Sequence, residues 1–227
     1  MKVYFVALLA FLIAAHACSA VSVKQSGAKS QESVVVEFFE ESLCPYCASF
    51  STKILGPLLR SNLTPYIDFN LVPYGNAKQT SKGLECQHGP EECRLNRIFA
   101  CAIDLSKTPR DYWPFVECVE SNYGAKIEDS LEGCAKDNGF KLKDLEACAS
   151  GSRGDALEQA AGEQTNSLQP AHQFVPWVVV NGVPLEDDYQ NLQKYICVAI
   201  RDIPKPELCQ QLSESSAALA DPTYAMS

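Results

Sequence analysis

The stretch VVVEFFEESLCPYCASF runs from Val34 to Phe50, and its reading decides how the rest of the chain is understood. Its first part, Val34–Glu40, is β-branched and aromatic. Such a run is too apolar for a half-exposed strand, so a central place in a sheet is expected. Two acids follow, then two cysteines separated by Pro45 and Tyr46. Proline suits the first position of a helix, where its missing N–H costs nothing. Pro45 and Tyr46 therefore start a helix, and Cys44 is its N-cap. An N-cap side chain accepts hydrogen bonds from N–H groups two and three residues on, here those of Tyr46 and Cys47. The positive end of the helix dipole adds to them. Both favour a thiolate, so the pKa of Cys44 is expected to fall. Cys47, one turn later, is placed to attack a mixed disulfide held on Cys44. Strand, CPYC and helix together form the layout of a dithiol exchange site, with Cys44 and Cys47 as its catalytic pair.

The rest of the chain supplies the frame. Cys47, Phe50, Ile54 and Leu58 share one helix face, and Gly56-Pro57 is expected to kink or end that helix. YIDFNLVPYG, from Tyr66 to Gly75, alternates and reads as a second strand. Residues 76–165 hold six cysteines and helix-like stretches at Pro90–Leu105, Asp111–Tyr123, Leu142–Ala149 and Asp155–Asn166. VPWVVVNGVPL, from Val175 to Leu185, returns to strand, with Asn181-Gly182 as a type I′ turn. Asp188–Ile200 reads as a last helix with Asp187 or Asp188 as N-cap. The order β-α-β, helical block, β-β-α is a thioredoxin-like α/β plan with a helical, cysteine-rich insertion between the second strand and the Pro176 strand.

Bulk properties narrow the function. The 227 residues suit one domain with a tail. Met1–Ala20 has one Lys, an apolar run and small residues after it, the pattern of a signal peptide. Its apolar run is shorter than the ~20 residues that cross a bilayer, so no membrane insertion of the mature chain is expected. Residues 21–32 read as a leader, 33–201 as the thioredoxin-like domain and 202–227 as a C-terminal tail. The formal charge is −9 for 19 basic and 28 acidic residues; losing Lys2 with the signal makes it −10. An acidic chain is a poor partner for nucleic acid. Export predicts an oxidising route, in which most cysteines pair. Cys86, Cys93, Cys101, Cys118, Cys134, Cys148, Cys197 and Cys209 are the structural disulfide candidates, an even set whose connectivity stays open. Asn62 opens the sole glycosylation sequon, Asn62-Leu63-Thr64, followed at once by Pro65.

Other readings of the cysteine pair exist. It can be half of a zinc site, but a second close pair is absent, so no metal is expected. It can also be an inert staple in a secreted binding protein. Pro176 argues for redox chemistry. In thioredoxin-like folds a cis-proline opens a strand facing the dithiol, and the residue before it, here Val175, offers backbone hydrogen bonds to an extended substrate.

The segment CQHGPEECRLNRIFAC, from Cys86 to Cys101, reads C-Q-H-G-x2-E-C-x2-N-x4-C. It resembles the signature of the gamma-interferon-inducible lysosomal thiol reductase family. With ESLCPYC and PWVVVNG, the likeness covers roughly residues 34–209. It implies a thioredoxin-like enzyme that reduces protein disulfides and works best in acidic lysosomal compartments. The signature itself reads as structural, with Cys86, Cys93 and Cys101 stapling the insertion; a proton shuttle at His88 is the other reading. Expected partners are disulfide-containing proteins and a small-thiol or protein electron donor, with no cofactor beyond the dithiol. The expected location is the secretory pathway, ending in lysosome, vacuole or outside the cell. An oxidase or isomerase using the same dithiol is the nearest alternative, because direction depends on reduction potential.

Overall fold

The computed structural model describes residues 33–124, 127–201 and 204–220. The signal and leader segments read above lie outside these residues. Strand β1 (Val34–Glu40) is central: β2 (Ile67–Pro73) pairs with it in parallel and β5 (Trp177–Val180) in antiparallel. β6 (Val183–Pro184) extends the order to β2-β1-β5-β6. The β5–β6 turn has Asn181 at φ 48 and Gly182 at φ 77, as a type I′ turn requires. A small hairpin, β3 (Lys78–Thr80) and β4 (Gly83–Glu85), stands apart.

The sheet is apolar on both faces because both are covered. Val34, Val36, Phe38, Phe69, Leu71, Val178 and Val180 point to one side and join the main core. Phe39, Val72, Trp177 and Val179 point to the other, against Ala161. This is the period-two split of strands buried on both sides. The first helix, α1 (Pro45–Phe50), sets Phe50 against Phe38 with ring centroids 5.1 Å apart. It does not end at Gly56-Pro57. A π-helical turn over Ser51–Leu55 leads into α2 (Gly56–Leu59). Pro57 has no N–H to give, and the wide turn ahead of it absorbs the fault while bringing Leu55 into the core.

The helical block holds α3 (Pro90–Asp104), α4 (Pro109–Ser121), α5 (Ile127–Asp137), α6 (Leu142–Ala149) and α7 (Ser152–Asn166). Helix α5 was not expected; it lacks a clear capping signal, although Leu131, Cys134 and Ala135 form a buried face. Helix α7 lies close over the sheet because Gly162 has no side chain. A Cβ there would sit 2.7 Å from the Tyr74 ring. Arg97 on α3 grips Glu158 on α7 through Nε at 2.8 Å and Nη2 at 2.7 Å.

Two C-terminal expectations need correction. Asp187 and Asp188 do not cap an α-helix; they lie in a 3-10 helix over Glu186–Asn191, and α8 spans Leu192–Ala199 with Asn191 as N-cap. The Asp188 carboxylate is taken by Asn191 Nδ2 and by the Tyr195 hydroxyl. The segment read as a tail carries α9 (Glu207–Ala220). The eight remaining described cysteines form four disulfides: Cys86–Cys93, Cys101–Cys148, Cys118–Cys134 and Cys197–Cys209. The second ties α3 to α6, the third α4 to α5, and the fourth α8 to α9.

Candidate active site

Cys44 and Cys47 are the free cysteines among the described residues, and both are buried. Cys44 is the N-cap of α1, with extended backbone at φ −84 and ψ 121. The Cys47 N–H donates to its sulfur at 3.4 Å. The Cys44 thiol is pulled down to about 7. The Cys47 thiol bonded to it lowers it most; burial opposes this, and the Cys47 and Tyr46 N–H groups add to the lowering. Cys47 is fully enclosed, and burial pushes its thiol well up, with the neighbouring Cys44 and Glu40 adding to the rise. The two sulfurs thus differ in the way exchange chemistry needs: one is ionised near neutrality, the other held in reserve.

The Val175–Pro176 peptide is cis. It brings the Val175 carbonyl to 3.8 Å from the Cys44 sulfur. A cavity of about 730 Å³ opens here, lined by Cys44, Pro45, Tyr46, His88, His172 and Val175 among others. Tyr46 stands 69% exposed at its rim, a flat aromatic surface beside the sulfur. Gln169–Pro170 is also cis, which the sequence had not suggested.

The loop from Glu41 to Leu43, just before Cys44, is gripped by residues of α3. Asn96 Oδ1 accepts from the Ser42 N–H at 2.9 Å, and the Glu92 carbonyl accepts from the Ser42 hydroxyl at 3.3 Å. Glu92 also holds His88, its Oε2 2.5 Å from Nδ1. Glu41 Oε1 lies 3.5 Å from the same nitrogen, while its Oε2 accepts from the Asn76 N–H at 2.8 Å. Gly75 allows this approach: its φ is 59, and a Cβ would sit 2.4 Å from Glu41 Oε2. Ligands around a tetrahedral ion at ~2.1 Å stand about 3.4 Å apart. The 2.5 Å His88–Glu92 contact is too short for that and is the contact of a hydrogen-bonded His–carboxylate pair. Behind the dithiol, Glu40 and Glu120 are both buried and form a hydrogen-bonded carboxyl pair, with no other polar group to satisfy their oxygens. Burial, followed by the charge of neighbouring acids and of Cys44, pushes both carboxyls well above the usual range.

Comparison with known proteins identifies the framework. Residues 35–138 match the family model described as gamma interferon inducible lysosomal thiol reductase, GILT. A gamma-interferon-responsive lysosomal thiol protein of Arabidopsis thaliana is 34% identical over 188 residues, covering 81% of this chain and 78% of that protein. The chain belongs to the GILT family. The gamma-interferon-inducible lysosomal thiol reductase of Mus musculus is 32% identical over 188 residues, 80% of this chain and 74% of that one. A GILT-like protein of Caenorhabditis elegans is 32% identical over 193 residues, but the chain spans only 57% of its length. Among solved structures, reduced DsbA from Mycobacterium tuberculosis superposes with a TM-score of 0.56 at 19% identity, over 84% of this chain and 92% of that one. DsbA from Chlamydia trachomatis gives 0.53 at 13%, over 83% and 88%. The fold is therefore thioredoxin-like, with the helical block inserted between β2 and β5, and the family assignment makes the chain a thiol-disulfide oxidoreductase.

The GILT signature segment at Cys86–Cys101 does more than staple. Cys86 and Cys93 close the turn that opens α3, and Cys101 reaches Cys148 on α6. Its polar members His88, Glu92 and Asn96 build one wall of the loop before Cys44. Sequence reasoning missed Glu41, Glu92 and Asn96 as neighbours of the dithiol. Their signal was a buried-type spacing, with Glu92 and Asn96 one turn apart on α3 and both buried. Asn62 lies exposed in the turn after α2, away from the dithiol mouth.

Proposed function

We propose that the chain reduces disulfides of protein substrates, with Cys44 attacking and Cys47 resolving, and that it works in an acidic compartment. The ionised Cys44 sulfur attacks one sulfur of the substrate disulfide. A Cys44–substrate disulfide forms, the substrate S–S bond breaks, and the departing substrate sulfur leaves as a thiolate that takes up a proton. Cys47 then loses its proton and attacks Cys44. The second substrate sulfur leaves, and a Cys44–Cys47 disulfide remains. Two electrons have passed to the substrate; a small thiol or a protein dithiol returns them. No further cofactor enters the reaction.

The observation that carries this reading is the asymmetry of the two free cysteines in a chain whose other described cysteines are all bonded. The Val175 carbonyl and the cis-proline strand supply a backbone edge on which an extended peptide docks beside the sulfur. Met1–Ala20 serves as the export signal, and the destination is a lysosome, a vacuole or the outside of the cell. The test is capture: Cys47→Ser should accumulate mixed disulfides with a denatured, disulfide-bonded substrate. Cys44→Ser should accumulate none. Trapping by Cys44→Ser alone would reverse the roles, and trapping by neither variant would overturn the reading.

A further inference from the structure

The signature histidine is exposed for only part of its surface, and its Nδ1 is committed to two carboxylates. His88 and Cys44 line the same cavity wall. Those facts, together with the reading of Cys44 as attacker on which this inference rests, give the histidine a task. We propose that His88, gripped by Glu92 and Glu41, is a positioning residue whose positive charge keeps the Cys44 sulfur reactive when the surroundings turn acid.

The charges facing Cys44 come from every neighbouring element. Glu40 and Glu41 stand at the end of β1, Cys47 on α1, Lys78 on β3, Glu92 on α3 and Glu120 on α4, with His88 and His172 in the flanking loops. His88 and Glu41 respond to falling pH in the same direction. For His88, partial burial pushes downward, but the Glu92 carboxylate on its ring and the nearby Glu41 and Cys44 charges outweigh it, and the net shift is upward. Glu41 is raised by burial and by Glu92, against the Asn76 N–H and His88. As pH falls from neutral, His88 gains its charge early and Glu41 starts to lose its own. Both changes make the wall more positive and hold a thiolate that acid would otherwise protonate. The other groups do not oppose this. Glu40 and Glu120, pushed well up, carry less charge than ordinary carboxylates, and His172, pushed down by burial, gains its positive charge only further into acid.

The test is the rate at which Cys44 is alkylated by iodoacetamide, measured by peptide mass from about pH 4.5 to about pH 8. His88→Asn keeps a hydrogen-bonding side chain but no charge. It should lower the Cys44 rate about three- to tenfold near pH 5, corresponding to a loss of half to one pKa unit, and change it less at pH 8. His88→Lys, charged throughout, should retain the acid rate. Glu41→Gln removes an anion that acid discharges sooner than an ordinary carboxylate, so it should speed Cys44 more near pH 7 than near pH 5. A His88→Asn profile that superimposes on the wild type overturns the proposal. Should His88→Asn melt early, Glu41→Gln decides by the same measurement, and an unchanged profile there overturns it too. Because trapping by Cys47→Ser is scored separately, a profile indifferent to His88 with trapping intact removes this inference alone. Loss of trapping removes the reading beneath it.

Discussion

Cys47→Ala and Cys47→Ser should differ at Cys44, although both remove the resolving sulfur. The largest influence lowering Cys44 is the hydrogen bond from the Cys47 side chain, ahead of the two backbone N–H groups. Serine keeps an O–H donor at that place; alanine keeps none. With its thiol at about 7, Cys44 is about one-tenth thiolate at pH 6. An ordinary thiol at ~8.5 is about thirtyfold less so. If alanine returns one unit of that gap, the thiolate falls about tenfold at pH 6. A more basic thiolate is also a better nucleophile, by about threefold per unit. The net expectation is a threefold slower attack on a small symmetrical disulfide at pH 6, and about a threefold faster one near pH 9.5, where both variants are ionised. The assay is stopped-flow release of the leaving thiol in a single turnover, with the midpoint of the pH profile as the main readout. Equal midpoints for the two variants, or a higher one for serine, would refute the assignment of the Cys47 side chain as donor.

Three further outcomes are expected. Glu40→Gln should stabilise the protein. Glu40 is neutral in the fold at pH values where the unfolded chain has ionised it, above ~4.3, so the wild type loses stability as pH rises from there toward the raised folded value. The gain in melting temperature should be near zero at pH 4 and several degrees at pH 7, for a relief of about 1–3 kcal/mol; a gain equal at both would contradict a buried neutral carboxyl. Asn96→Ala leaves the Ser42 N–H buried and unpaired, costing about 1–3 kcal/mol; it should lower stability by that amount and slow the dithiol, and an unaffected turnover would mean the loop does not depend on α3. Cys209→Ser opens a loop of 12 residues, worth about 3 kcal/mol in the chain-entropy account; limited proteolysis should then cut ahead of α9 while single-turnover attack by Cys44 stays as it was.

The dithiol, the cis-proline strand and the central sheet were legible because each rests on local chemistry. Pro45 after Cys44 writes a helix start, and Asn181-Gly182 writes its turn without help from distant residues. Helix α5 and the break into a 3-10 helix at Glu186–Asn191 were not legible. There the outcome depends on tertiary partners: a disulfide from Cys118 for the first, and the Asn191 and Tyr195 side chains drawing Asp188 aside for the second. The wall of the mouth was hidden for a similar reason. Glu41 and His88 are 47 residues apart, and nothing in either segment announces the other. The Cys197–Cys209 link was foreshadowed only as two members of an even set; that the second lies within a helix came from packing, since Ser- and Ala-rich sequence reads as tail.

None of the eight bonded cysteines is an exposed residue, and Cys101, Cys134, Cys197 and Cys209 are buried outright. A second copy of the same chain is one disulfide-bonded protein that the dithiol can meet. A sulfur must be approached along the S–S axis by the incoming thiolate, and the Cys44 sulfur sits inside a mouth rather than on a prominence. Folded copies should therefore be poor substrates for one another: every bridge has at least partial cover, and Cys197–Cys209 lies between two buried residues. The shape that this mouth can accept is a loosened, extended segment laid past Tyr46 along the Val175 edge.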